Sequence, residues 1–286
     1  VNPFTRYKRR GGTVLTAWEA DLHGNSTVGV NPVSVDRGDD GEWVCSDWGR
    51  WLWDRRLEYW EWVWSLKKEY SAELWVFGNG DLLDDPYHPT TKVVTGDKAL
   101  IVEIGAQNHA RPREMADYFF VVGGTSSHVG IDFWIEELLA QRLDATQDEE
   151  RGKYAWSHFL GEASGVLIDA CHHAETYGWR PWTERAAAVR QSEILRDRYV
   201  EMGSRVPDLA FRAHGHYPAD SGIGKLPRTL YQFAWQLTNS TTFGQRKGTG
   251  YHFRPVGGMV ALCRDGQHHV EFKAWQHEGK KVWKPD

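Results

Sequence analysis

The chain of 286 residues has little of what would commit it to a membrane, a disulfide scaffold or a nucleic-acid tract. It has three cysteines, Cys45, Cys171 and Cys263, an odd number with no CxxC spacing. A disulfide framework is therefore not expected, and a reducing compartment fits best. Each cysteine reads as a small buried hydrophobe. The longest apolar runs, such as Ala99–Val102 and Tyr118–Val122, fall far short of a bilayer span. No charged-then-apolar leader follows Val1, so the expected location is the cytoplasm, with no membrane partner. The sequons at Asn25 and Asn239 then read as chance. The formal net charge of −5 gives no global pull toward nucleic acid or anionic lipid. No GxSxG elbow is present, which argues against a serine hydrolase. The segment Gly222-Ile-Gly224-Lys225 lacks the spacing and the Ser/Thr of a P-loop.

What is present suits a globular α/β protein. Hydrophobic residues make up 41% and charged residues 26%. That composition excludes wholesale disorder and fits one large domain over residues 1–286. Sixteen tryptophans are unusual, and eight of them fall between Trp43 and Trp75. Residues 48–70 carry apolar side chains at mixed three- and four-residue spacing, which predicts a helix. A Trp-rich helical insertion around 43–70 is expected to cover a large aromatic core. The competing reading is a stacking platform for bases or sugars.

Short apolar strands punctuate the rest. Thr13–Ala20, Leu74–Phe77, Tyr118–Val122, Val166–Ala170 and Leu209–Arg212 read as strands. Helices are predicted over 99–117 and Phe133–Leu143, with a third reaching about Met202 and capped by Thr183. Residues 86–98 read as a loop, and 144–153 as the tip of an insertion. The tail, 228–275, alternates like β structure, with a hairpin turn at Arg264-Asp265-Gly266-Gln267. Arg6, Lys8, Arg9 and Arg10 read as a solvated basic arm, against a phosphate-tracking one.

Polar clusters follow nearly every one of these strands. They are Asp21-Leu-His23, Gly80-Asp81-Leu-Leu-Asp84, Gly124-Thr-Ser-Ser-His128, His172-His173 and His214-Gly-His216. The carboxyl end of a strand is where open α/β sheets bind ligands. Residues two apart share a face, so each D-x-H or H-x-H pair can aim at one point. Carboxylate oxygen with imidazole nitrogen suits borderline divalent ions. Each cluster alone is weak evidence, because a lone Asp-x-His or double His is usually structural. Five in this order, each at a strand end, are hard to reach by chance.

Together they resemble the signature of the calcineurin-like metallophosphoesterases, which reads DxH, GDxxD, GNH, a lone His, then GHxH. The match runs over residues 21–216, about two thirds of the chain. The resemblance implies a four-layer α/β sandwich, two mixed β-sheets flanked by helices, with the strands of 228–275 completing the second sheet. It implies a phosphoesterase that cuts a monoester or diester with a water activated by two divalent ions. Manganese is the expected metal, with iron, zinc, nickel or cobalt as alternatives. Asp21, His23 and His216 are the implied ligands of one ion, and His172 and His214 of the other, with Asp81 bridging. His173 competes with His172 for its role. The substrate is expected to be a phosphate ester, with nucleotides, or nucleic acid for a nuclease, within range.

Two motifs depart from the pattern. Ala213 stands where GHxH has its first Gly. The third motif lacks the Asn ligand altogether and reads Gly124-Thr-Ser-Ser-His128, which leaves Thr125 or Ser126 in its position. A literal Asn108-His109 pair exists, but before the strand and not after it. In the family the His after that Asn stands near the leaving oxygen and is oriented by the second acid of GDxxD. The resemblance therefore makes His128 a general acid positioned by Asp84, with replacement ligand as the rival role. The altered third motif and the Trp-rich helix are similar to bacteriophage-encoded members, which would place the protein in a host cytoplasm. A non-catalytic binding or scaffold module of the same fold, with a degenerate metal site, is the alternative reading.

Overall fold

The computed structural model describes residues 7–9, 12–85, 92–178, 180–236 and 254–277. Its strands are β1 (Tyr7–Arg9), β2 (Val14–Glu19), β3 (Ser34–Asp36), β4 (Glu42–Val44), β5 (Glu73–Asn79), β6 (Tyr118–Val122), β7 (Ala155–Trp156), β8 (Phe159–Ala163), β9 (Val166–Ala170), β10 (Leu209–Arg212), β11 (Ala219–Asp220), β12 (Arg228–Tyr231), β13 (Val256–Arg264) and β14 (Gln267–Trp275). Its α-helices are α1 (Asp47–Glu69), α2 (Lys98–Met115), α3 (Ser126–Val129), α4 (Trp134–Arg142) and α5 (Pro181–Glu201).

Two six-stranded sheets form the centre, both mixed. One has the order β14-β13-β2-β5-β6-β7, with β2, β5, β6 and β7 parallel. The other has the order β1-β8-β9-β10-β12-β11, with β9, β10 and β12 parallel. Strand β2 shows how the layers arise. Val14 and Trp18 face the opposite sheet, and Leu15 and Ala17 face the helices. Trp18 is stacked between Phe77 of its own sheet and Phe211 of the other, at 3.9 and 3.8 Å. Helices α1, α2 and α4 cover the first sheet, and α5 covers the second. The expected four-layer sandwich is what the chain forms.

The helices start where backbone N–H groups find acceptors. Ser46 accepts from Gly49 N at the start of α1, and Asp97 accepts from Ala99 N and Leu100 N at the start of α2. Helix α1 buries Leu52, Arg56, Tyr59, Trp60 and Val63 along one stripe. Trp60 and Trp75 are fully buried. Trp43, Trp48, Trp51, Trp53, Trp62 and Trp64 are half-buried and pack against the core, as the core reading of 43–75 expects.

Several expectations are corrected. Thr183 does not cap α5. Pro181 takes the first helical position, where its missing N–H costs nothing, and Thr183 lies inside the first turn, bonded to Arg180. The tail does not complete one sheet. Strand β12 joins β10 in one sheet, while the β13–β14 hairpin adds to β2 in the other. Lys8 and Arg9 are not a free arm but part of β1, paired with β8. Strand β8 and the β3–β4 hairpin were not anticipated. Of the expected loop 86–98, residues 86–91 lie outside the described residues, as do Arg6 and Arg10. Among the described residues, no helix is long and apolar enough to cross a membrane.

Candidate metal centre

Strands β2, β5 and β6 of one sheet and β9 and β10 of the other end at a common point, and each hands over to one of the polar clusters. The turns there are tight. Asp21, His23, Asp81, His214 and His216 all have positive φ, between 46° and 64°. A side chain in that left-handed region costs about 1–2 kcal/mol. Five such residues at one point mark strain held at a site by the surrounding fold. Gly80, at φ 81°, precedes Asp81, and a Cβ there would overlap the His172 ring.

The side chains form two joined groups. In the first, Asp21 Oδ1 lies 3.2 Å from His216 Nε2 and 4.0 Å from His23 Nε2. The two imidazole nitrogens are 3.3 Å apart. In the second, Asp81 Oδ2 lies 3.0 Å from His172 Nε2 and 3.8 Å from His214 Nδ1. Asp21 Oδ1 is also 3.8 Å from His172 Nε2, so this one oxygen reaches imidazoles of both groups. Asp21, His23, Asp81 and His172 are buried, while His216 and His214 border solvent.

The open choices at this site now have positions. His172 points inward at Asp81, whereas His173 is exposed, with its Nε2 3.5 Å from Thr125 Oγ1. Thr125 stands beside the second group. Its N–H donates to Asp81 Oδ1 at 2.6 Å, and its hydroxyl donates to Asp81 Oδ2 at 2.9 Å and lies 3.0 Å from His214 Nδ1. Asn108 and His109 lie on α2, bonded to Val30 O and Gly105 O, and take no part. Asp84 Oδ1 accepts from His128 Nδ1 at 2.6 Å and from His23 Nδ1 at 3.1 Å. One carboxylate oxygen therefore orients both the candidate acid and a candidate ligand. His128 sits on α3 with its side chain 28% exposed.

The donor set fits divalent cations. His172 Nδ1 donates to Asn79 O at 2.7 Å, which leaves Nε2, facing Asp81 Oδ2, as the position for a proton or a cation. His23 Nδ1 donates to Asp84, which turns its Nε2 toward His216 Nε2. Two lone pairs at such distances require a proton or a cation between them. Asp21 Oδ1 is buried, and the imidazole nitrogens of His216, His172 and His23 face it. Second-side hydrogen bonds of this kind fix the tautomer that a metal needs. Burial opposes charge on the imidazoles, yet Asp84 raises His23 to about 9 and Asp81 raises His172 to about 10. Burial and the neighbouring His172 and His214 lower His173 to about 4. Burial would raise the Asp21 and Asp81 carboxyls, but His216 holds the first below its usual range and His172 holds the second well below. Three residue groups at this point can each hold an ion: Asp21, His23 and His216; Asp81, His172 and His214; and His23, Asp84 and His128.

Sequence reasoning missed Glu136 on α4. It is fully buried beside the site and accepts from Leu82 N and Gly124 N. Burial first, and then the nearby Asp81 carboxylate, push it up to about 8. Nothing in its local pattern separates it from a surface helix glutamate.

No family model matches the chain, and no curated protein matches it in sequence. Solved structures do share its outline. Vacuolar Protein Sorting 29 from Cryptosporidium parvum is 12% identical, with a TM-score of 0.42 over 93% of this chain and 100% of that one. The Vps29 of Chaetomium thermophilum is 10% identical, with a TM-score of 0.37 over 93% and 98% of the two chains. Likeness at this level bears on neither activity nor partners.

Proposed function

We propose that the chain is a dinuclear metal-dependent phosphoesterase, hydrolysing a phosphomonoester or phosphodiester. The observation that carries it is the pair of joined, largely buried groups, whose imidazole nitrogens converge on the Asp21 and Asp81 carboxylates. Asp21, His23 and His216 would hold one ion and His172 and His214 the other, with Asp81 shared. The Thr125 hydroxyl adds a neutral oxygen to the second group. Manganese is favoured, with iron, zinc, nickel or cobalt as alternatives that the same donors accept. Two such ions supply Lewis-acid polarisation of a phosphoryl oxygen and a water of lowered pKa.

The chain's own part is positioning and proton transfer. Asp84 holds the partly exposed His128 ring by Nδ1, so that Nε2 would be the nitrogen that protonates a leaving alkoxide. The tight positive-φ turns fix the directions in which the ligand side chains leave the backbone. The substrate class includes esters of nucleotides and nucleic acid.

The test is metal content of protein purified without chelator, measured with hydrolysis of p-nitrophenyl phosphate and bis(p-nitrophenyl) phosphate. The expected result is close to two ions per chain and manganese-dependent turnover of at least one ester. Well under one ion per chain after manganese addition would overturn the proposal. Two bound ions without hydrolysis of either ester would favour a non-catalytic scaffold.

A further inference from the structure

The buried carboxylate of Glu136 lies outside the two groups of candidate ligands, yet both of its oxygens are committed to them through backbone. Oε1 accepts from Leu82 N at 2.8 Å, and Oε2 accepts from Gly124 N at 2.7 Å. Leu82 follows Asp81, and Gly124 precedes Thr125. The Asp81–Leu82 peptide is held from its other side as well, because Asp81 O accepts from His23 N at 2.9 Å. The two loops that Glu136 joins are packed tightly together. Thr125 donates to both oxygens of Asp81, and a Cβ on Gly124 would overlap the Asp81 backbone.

Among the described residues, Glu136 has no lysine or arginine partner, only the Leu82 and Gly124 N–H groups. A buried carboxylate without a cation is costly, and an apolar residue would fill the same helix face at lower cost. The two N–H groups explain its presence only as a constraint on where they sit. The next residue offers a comparison within one helix. Glu137 Oε2 accepts from Tyr154 N and Ala155 N at 2.9 and 2.7 Å, which ties α4 to β7 through a single oxygen and away from the ligand cluster.

We propose that Glu136 is a positioning residue that staples the β5 and β6 loops together and so sets the distance between Asp81 and Thr125 for the second ion. The inference rests on the proposed dinuclear reading. Glutamine keeps one acceptor and turns an amide NH₂ toward the other backbone N–H, so one loop is released. Glu137→Gln removes the same charge at the comparison position, where one oxygen takes both backbone N–H groups.

The experiment is titration of the metal-free full chain with Mn(II), followed by calorimetry and by the electron paramagnetic resonance signal of spin-coupled manganese pairs. Melting temperature is recorded for each variant. Glu136→Gln is expected to keep the first ion, to weaken the second about 10–100-fold and to lose most of the coupled signal. Glu137→Gln is expected to lower the melting temperature and leave both ions. Unchanged second-ion affinity in Glu136→Gln overturns the proposal, and so does an equal loss in both variants, which would make the role purely structural. If Glu136→Gln does not fold, Glu136→Asp, whose shorter side chain reaches only one N–H, is read by the same criteria. A wild-type chain that binds fewer than two Mn(II) ions refutes the dinuclear reading instead, a separate outcome.

Discussion

Glu19 and Asp21 are two residues apart at the end of one strand, and both are fully buried, yet they are neutralised in different ways. Glu19 receives Arg56 through two hydrogen bonds of 2.8 and 2.7 Å, with His109 at 3.2 Å. The other sheet repeats the pattern, with Asp169 paired to Arg212 at 2.5 Å just before His172 and His214. Asp21 and Asp81 face imidazoles with no arginine or lysine among the described residues, and their other donors are neutral, Thr125 for Asp81 and the His214 N–H for Asp21. Behind the centre the chain supplies its own permanent cations, and in front it supplies donors whose charge depends on what is bound. An arginine fixes a carboxylate for good, whereas a set of bare imidazoles and carboxylates leaves the cation exchangeable.

Substitutions can break that contrast, beginning with the largest effect. Asp81→Asn is expected to lower turnover by about 10³-fold or more and to exceed the loss from any single histidine, because a shared carboxylate offsets repulsion between two ions. Steady-state rates and metal content check it. Comparable residual rates in Asp81→Asn and His216→Ala would move the shared role elsewhere, and Asp21, whose Oδ1 reaches both groups, is the residue to test next.

His128→Ala is expected to keep both ions and lose roughly 10²–10⁴-fold in rate, the span of a general acid. The loss should shrink for esters with very good leaving groups. Depletion of one ion, with partial rescue by excess metal, would instead make His128 a ligand.

On the structural side of the contrast, Arg56→Ala is expected to cost about 3–5 kcal/mol of stability without changing metal stoichiometry, since it strands Glu19 in the core. The pair also has a pH signature. Burial would raise the Glu19 carboxyl, but Arg56 and His109 lower it to about 2. A depressed carboxyl contributes stability above its unfolded value, about 4.3, and loses it as pH falls toward 2. Denaturant midpoints between pH 5 and 2 should therefore fall less steeply in Arg56→Ala than in the wild type.

The smallest effects belong to the half-buried tryptophans. Trp60→Ala should cost about 3–5 kcal/mol, and Trp62→Ala clearly less, because its ring is already partly in water. A Trp62 variant that keeps its melting temperature but binds substrate more weakly would revive the stacking role.

Much of this was readable before any coordinates. Val166–Ala170 and Leu209–Arg212 form strands over the expected residues, because short apolar runs bounded by polar clusters have few other uses. The helix at 48–70 was visible in its three- and four-residue spacing. Thr183 misled because Pro181, two residues earlier, outcompetes it for the start of the helix. The tail misled because alternation shows that a segment is β but not which sheet it joins.

The site divides along the same line. The order of residue types, Asp21-x-His23, then Asp81 and Asp84, then His128, His172, His214 and His216, is a property of the sequence, since chemistry at a strand end is set by which side chains stand there. Choosing His172 over His173 needed the tertiary structure, because adjacent residues point to opposite sides and only packing says which side is inward. So did the place of Thr125, the double hold of Asp84 on His23 and His128, and the staple at Glu136. Each of these joins atoms at least twelve residues apart through hydrogen bonds of about 3 Å, and no local pattern carries that information.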